Sequence, residues 1–428
     1  MLPPFAVMPM DVGHQAWVAA RAEERVKLGS DINAAETELN PLLRYDLIWR
    51  GGQNHFVALY NPRFIHTTSW DRTLPDPNLI NPNTLNLTDP NKTPFSALHN
   101  GGVGFEMVKP RWRLSLYQFA AYGPISTTAL LVQAPWNGVA LPPDPNPIIP
   151  AIIGARFRLL FVQTQLFVPI RLSPRTALIP GFVYNAFGGA DRTSRGVIAL
   201  TQGPGASLQL EHAATRNDRL VSTIGAGRVD TTFQDEREGF IIIRAEATQS
   251  WRHWYSNNLS SEVMGGASIG GDQVNGFTMF TVGHAALLWD SWGQARIAPG
   301  APPYAVVGGR GHRIQLGAVA KVQPWIDLFS GDIEQRAVVS LAANYSVDRV
   351  TFRGNLSQAR VLATPRSVAE YQIVLADGGI QYRILPTFSA DVGLRAGYQN
   401  FNNAVRFNEL TQLTVYGGLS WAPLPARF

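Results

Sequence analysis

The stretch Gly266-Ala267-Ser268-Ile269-Gly270 has the G-x-S-x-G spacing that hydrolases use to hold a serine on a strand-to-helix elbow. Here the flanking residues read as strand with no helix after them, so Ser268 lacks the elbow that would expose it. The histidines, His14, His55, His66, His99, His212, His253, His284 and His312, show no metal-ligand spacing. With no cysteine in the chain there is no thiol nucleophile, no cysteine-ligated zinc or iron–sulfur site and no disulfide. No P-loop, dinucleotide fingerprint, HExxH or EF-hand loop is present, so no cofactor and no metal are expected. His212, His253 and His284 read as strand-wall residues. A serine–histidine pair in such a wall is the hydrolytic arrangement left open, with Ser268 or another wall serine as nucleophile.

The remaining chemistry is that of arginine. Lysine occurs only at Lys27, Lys92, Lys109 and Lys321, so the formal net charge of +5 is carried by arginine. The basic residues are dispersed rather than gathered into a patch with stacking aromatics, which argues against nucleic acid as a partner. Their positions have meaning only once the elements that carry them are known.

Those elements are strands. No run approaches the roughly 18 apolar residues of a membrane helix. Instead the chain shows two-residue alternation in segments of about ten residues, each ending in a turn or polar loop. Leu43, Tyr45, Leu47 and Trp49 point one way while Arg44, Asp46, Ile48 and Arg50 point the other. Trp112, Leu114 and Leu116 oppose Arg111, Arg113 and Ser115, and Ile314, Leu316, Ala318 and Ala320 oppose Arg313, Gln315 and Lys321. Leu413, Val415, Leu419 and Trp421 oppose Gln412, Thr414, Tyr416 and Ser420. A large soluble sandwich alternates too. Its polar face would carry many Lys and Glu, whereas only 16% of this chain is charged against 10% aromatic, and the aromatics sit near strand ends. Trp49, Trp112, Trp251, Trp254, Trp289, Trp325 and Trp421 read as a membrane-interface girdle.

The pattern predicts an all-β fold: a single closed antiparallel transmembrane β-barrel over residues 1–428, with 18 strands and 16 as the alternative. The predicted strands begin near His14 to Lys27, continue in hairpins from 42–50 with 54–69 to 371–388 with 391–399, and close at 410–421. Short turns, among them Ser173 to Arg175 and Ser389 to Asp391, are assigned to the periplasmic side. Long loops at 71–100 and 123–154, rich in Pro and Asn, are assigned to the exterior, and residues 1–13 to a periplasmic segment. Met1 to Met10 lacks the basic start of a signal peptide.

Charge on a lipid face costs roughly 2–4 kcal/mol per Arg or Lys at the midplane, so the polar parity must face the lumen. That places Arg44, Arg50, Arg111, Arg113, Arg156, Arg158, Arg244, Arg252, Arg313, Lys321, Arg353, Arg383 and Arg395 inside, against Asp46, Glu246, Asp327 and Asp391. Such a wall favours anionic solutes. Alternatively some of these arginines reach the headgroup rim or pair with acids, leaving less net field.

The hairpins Leu172-Ser173-Pro174-Arg175-Thr176, Arg216-Asn217-Asp218-Arg219 and Ser389-Ala390-Asp391, with terminal Phe428, resemble bacterial outer-membrane β-barrel proteins. The strand count and Arg-rich hairpins resemble, more narrowly, the barrels that export polysaccharide in myxobacterial-type Wzx/Wzy-dependent pathways. The resemblance implies a multi-pass location in the outer membrane of a Gram-negative bacterium. It implies outer-membrane lipid and the barrel-assembly machinery as partners, the latter reading Phe428, although Pro423 and Pro425 interrupt the final alternation. The narrower resemblance adds a periplasmic export protein. Together the readings give a non-enzymatic pore for a hydrophilic, anionic solute or exported polysaccharide. The alternative is a scaffold barrel with a partner chain in or on its lumen, as in a surface machine or electron conduit.

Overall fold

Alternation with period two demands a sheet with two chemically different faces, and a sheet with an apolar face turned to lipid must close on itself to leave no unpaired edge. The computed structural model describes residues 13–29, 34–49, 53–69, 95–126, 156–196, 198–233, 239–272, 276–292, 312–326, 333–363, 370–402, 409–422 and 426–427. The strands are β1 (Gly13–Gly29), β2 (Ala34–Trp49), β3 in two segments (Asn54–Tyr60 and Arg63–Ser69), β4 (Phe95–Val108) and β5 (Arg113–Ser126). They continue with β6 in two segments (Arg156–Phe167 and Ile170–Ser173), β7 (Thr176–Gly189), β8 (Leu200–Ala213), β9 (Asp218–Thr232) and β10 (Phe240–Trp254). Next come β11 (Leu259–Asp272), β12 (Gly276–Asp290), β13 (His312–Ile326), β14 (Ile333–Val347) and β15 (Val350–Ala363). The last are β16 (Glu370–Leu385), β17 (Phe388–Asn402) and β18 in two segments (Glu409–Trp421 and Ala426–Arg427). One helical turn, α1 (Arg192–Arg195), joins β7 to β8.

Each strand pairs antiparallel with the next, and β1 pairs with β18 from Ala20 opposite Trp421 to Gly29 opposite Gln412, closing the 18-stranded barrel. Pro62 and Pro169 explain why β3 and β6 are split. A proline has no N–H to give the ladder, and each strand resumes against the same neighbours beyond it. Among the described residues no helix is long and apolar enough to cross a membrane; the strands cross instead.

The outer face carries a continuous belt of exposed apolar side chains, including Leu43, Val103, Leu116, Ile224, Val263, Leu287, Leu341, Leu356 and Leu419. A belt of this kind is a lipid-facing surface, and the closed barrel beneath it is an outer-membrane barrel. The inner face is mostly polar. Its apolar patches, Ile242 with Phe280 and Ile333, and Ala359 with Val361 and Ile373, are buried toward the long-loop end.

Seven connections at one end are tight, from residues 50–53 to Pro386-Thr387, and that end also holds the start of β1 and the end of β18. The connection from Asp290 to His312 breaks the pattern, being long at the tight end. Three expectations are corrected. The turn predicted at Ser389 to Asp391 lies at Pro386-Thr387, because Ser389 and Asp391 are inward residues of β17 that share the small polar character of turn formers. β2 begins at Ala34 rather than 42. Residues 95–100 belong to β4 and 123–126 to β5, not to the long loops. The rest of both predicted loops, residues 1–12, Asp327 and Phe428 lie outside the described residues.

Candidate functional site

The inner wall of β1 to β3 is built from ions. Alternation puts Arg21, Glu23 and Arg25 of β1 inward, opposite Asn40, Glu38 and Glu36 of β2, and the resumed segment of β3 brings in Arg63. Glu38 accepts two hydrogen bonds from Arg63, from Nε at 2.6 Å and Nη2 at 2.8 Å, and a third from Arg25. Arg25 also reaches Glu23, and its Nη1 lies 3.6 Å from Glu36. Arg25, Arg63, Glu36 and Glu38 are each at most 2% exposed, so these charges persist only because they neutralise one another. Toward the tight end Arg44 grips Asp46 through two hydrogen bonds of 2.9 Å, and His55 Nε2 lies 3.0 Å from the same carboxylate. On β4 and β5, Arg113 and the Tyr117 hydroxyl both donate to Glu106.

A second network lines β15 to β18. Gly393 leaves room for the Tyr416 ring, since a Cβ there would sit 2.3 Å from the Tyr416 hydroxyl. Arg353 and Arg395 lie over that ring at 5.7 and 5.5 Å, and Arg353 donates to the hydroxyl at 3.1 Å. Asp391 accepts from Arg21 at 2.9 Å across the β1–β18 seam, and Arg395 pairs with Asp377 at 2.9 Å. Elsewhere on the inner face Arg219 pairs with Glu211, Arg244 with Glu246, Arg252 with Glu262, Arg313 with Asp290 and Arg336 with Glu334.

Of the residues predicted to line the lumen, Arg44, Asp46, Arg113, Arg244, Glu246, Arg313, Lys321, Arg353 and Arg395 stand on the inner face of the register. Arg313 and Lys321 are buried in it. Arg383 has inward parity at the tight end, where it donates to the Asp348 carbonyl at 2.8 Å. Arg158 is corrected: it faces outward near the long-loop end, 3.6 Å from Asp191, and position 156 shares its parity. Upstream of them lies no alternation from which parity could be read. Sequence reasoning missed most of the inward acids: Glu23, Glu36, Glu38, Glu106, Glu211, Glu262, Asp290, Glu334 and Asp377. The available signal was the i, i+2 spacing of Arg21, Glu23 and Arg25 and of Glu36 and Glu38. Ser268 is an inward, buried residue whose hydroxyl donates to the Ala245 carbonyl, and its register partners are Glu246 and Phe280 rather than a histidine.

Trp49, Trp112, Trp251, Trp289 and Trp421 all stand on the outer face toward the tight end. Trp254 and Trp325 do not join them. Trp254 faces inward beneath Arg219 and Arg252, at 5.6 and 6.0 Å, and Trp325 stacks inside with Arg336 at 4.7 Å. A second aromatic group, Tyr60, Phe64, Phe95 and Tyr122, faces outward nearer the long-loop end. Ten residues separate Trp112 from Tyr122. At a tilt near 40° that spans about 25 Å, the height of a barrel's apolar band.

No family model matches the chain, and no curated protein matches it. Solved structures do. Pseudomonas aeruginosa OpdQ is 10% identical with a TM-score of 0.48, over 96% of this chain and 99% of that one. Pseudomonas aeruginosa OpdK, solved with vanillate, is 10% identical with a TM-score of 0.47, over 96% and 99%. Acinetobacter baumannii OccAB4 is 10% identical with a TM-score of 0.48, over 97% and 100%.

Proposed function

We propose that the barrel is a transmembrane pore for hydrophilic solutes and that it favours anions. Among the described residues acids and bases are nearly balanced on the inner wall, so net charge does not carry the preference. Accessibility does. The side chain of Arg113 is 23% exposed over a Glu106 that is 2% exposed, and Arg21 at 30% and Arg353 at 37% stand over an Asp391 at 2%. In these pairs the carboxylate lies in the wall and the guanidinium meets the lumen, so a passing solute meets donors and positive potential first. Polysaccharide export is a narrower reading that the comparisons do not support. Terminal Phe428 serves as the signal read by the barrel-assembly machinery.

The test is single-channel recording of the purified barrel in planar bilayers under a KCl gradient. Open channels with a reversal potential on the anion side are expected. Silence would overturn the pore in favour of a barrel filled by a partner chain, and a cation-side potential would overturn the anion preference.

A further inference from the structure

Outside the barrel, at the tight end, three strands bring together an acid, a base and a serine that the pore does not use. His253 on β10 has Asp218 on β9 as its register partner on one side and Ser261 on β11 on the other. The parity of all three is outward, that of Trp251. His253 Nδ1 lies 2.7 Å from Asp218 Oδ1, so the carboxylate fixes the ring with Nδ1 protonated and Nε2 as the basic nitrogen. Asp218 is itself held by Trp251 Nε1 at 3.0 Å and Thr215 Oγ1 at 2.5 Å. The Tyr255 ring meets the His253 ring edge-on at 4.5 Å, and the Ser261 hydroxyl donates to the Tyr255 hydroxyl at 3.3 Å.

We propose that these residues form an acyl-transfer site that hydrolyses the carboxylic ester of a membrane lipid. Ser261 is the nucleophile, His253 the base, Asp218 the orienting acid and Tyr255 the oxyanion donor. The roles follow from position. Ser261 is the register partner of His253 on the adjacent strand, and a nucleophile–base hydrogen bond commonly closes only when substrate binds. Ser261 Oγ then attacks the ester carbonyl carbon while its proton passes to His253 Nε2. The carbonyl oxygen, now negative, accepts a hydrogen bond from the Tyr255 hydroxyl, which stands where an oxyanion donor is needed. The tetrahedral adduct expels the lipid alcohol, which takes the proton from His253. Water, deprotonated by His253, attacks the acyl-serine in turn, releasing a fatty acid and restoring Ser261. The substrate class follows from depth: Trp251 and Trp289 mark the headgroup boundary at this level, where lipid esters lie.

The experiment incubates the folded barrel in vesicles of phosphatidylethanolamine and phosphatidylglycerol and measures fatty-acid release. In parallel, an alkyl fluorophosphonate is mapped on the protein by peptide mass spectrometry. Label on Ser261, with release falling at least about 100-fold in Ser261→Ala and His253→Asn, is expected. Circular dichroism and the gel shift of the folded barrel confirm that both variants fold. No release and no label in the unsubstituted protein, or release that persists in folded Ser261→Ala, would overturn the site and leave an interfacial hydrogen-bonded cluster.

Discussion

A buried charge is tolerated only where its partners are fixed, and Glu38 has two charged ones, Arg25 and Arg63, beside the amide of Asn40. Removing its charge leaves Arg25 and Arg63 facing each other across a neutral amide in a wall that water does not reach. Breaking a buried pair costs about 3–5 kcal/mol, so Glu38→Gln is expected to lower unfolding stability by about 3 kcal/mol in a urea titration of the barrel in lipid. Gly393 is constrained by volume instead of charge. A methyl group there collides with Tyr416 and with the Gly378 carbonyl, 2.5 Å away. Gly393→Ala should cost about 1–3 kcal/mol and release Arg353 from the Tyr416 hydroxyl, read as a change in tyrosine fluorescence. The i, i+2 spacing of Glu36 and Glu38 was the first site's trace in the sequence, and nothing marked the second. A glutamate two residues from another glutamate looks like a solvated loop until the neighbouring strands supply its arginines. The glycine's partner lies on the next strand, 23 residues away in the chain.

Elements were more legible than residues, because alternation records which side of a strand meets lipid. Leu43 to Trp49 and Ile314 to Ala320 disclosed their strands and the correct parity at once. The pattern faded where both faces carry small or polar side chains, as in residues 34–41, and at strand ends such as Arg158. There the chain leaves the bilayer and lipid no longer selects the outward residue. The same boundary governs α1, which is capped by Asp191, whose carboxylate accepts the Ser194 N–H at 2.8 Å. Partial burial opposes ionisation of Asp191, but the hydrogen bonds from Ser194 and the nearby Arg158 and Arg195 outweigh it and hold its carboxyl below the usual range. A carboxyl that binds its proton less readily folded than unfolded stabilises above its unfolded value, and that contribution drains as pH falls through the lower, folded one. The protection factor of the Ser194 amide, its rate taken relative to the intrinsic rate at each pH, should therefore be full at neutral pH and decline as pH falls below the ordinary carboxylate range. In Asp191→Ala that protection should fall by about 1 kcal/mol at neutral pH and lose its dependence on pH. At the opposite end Asp348 holds φ at +49° in the turn before β15. Glycine adopts that conformation without strain, so Asp348→Gly should raise stability by about 0.5–1 kcal/mol in the same titration.

At the scale of the whole barrel the question is which charges a solute meets. Arg25, Arg63 and Arg336 are sealed into the wall, while Arg21, Arg113 and Arg353 reach the lumen. The field of a sealed charge is largely cancelled by that of its partner, so the pair is nearly neutral at a distance; an accessible guanidinium over a buried carboxylate presents the donor end of a dipole. The two sets should therefore separate by experiment. Arg113→Gln combined with Arg21→Gln and Arg353→Gln is expected to move the reversal potential toward the cation side, because the carboxylates of Glu106 and Asp391 lose their covering charge and begin to face the lumen. Arg63→Gln is expected to lower stability by several kcal/mol while leaving selectivity almost unchanged, since no sealed group becomes accessible. If both substitutions shift selectivity alike, net charge rather than accessibility sets the preference, and the surplus of arginine visible in the sequence is the better guide to what the pore passes.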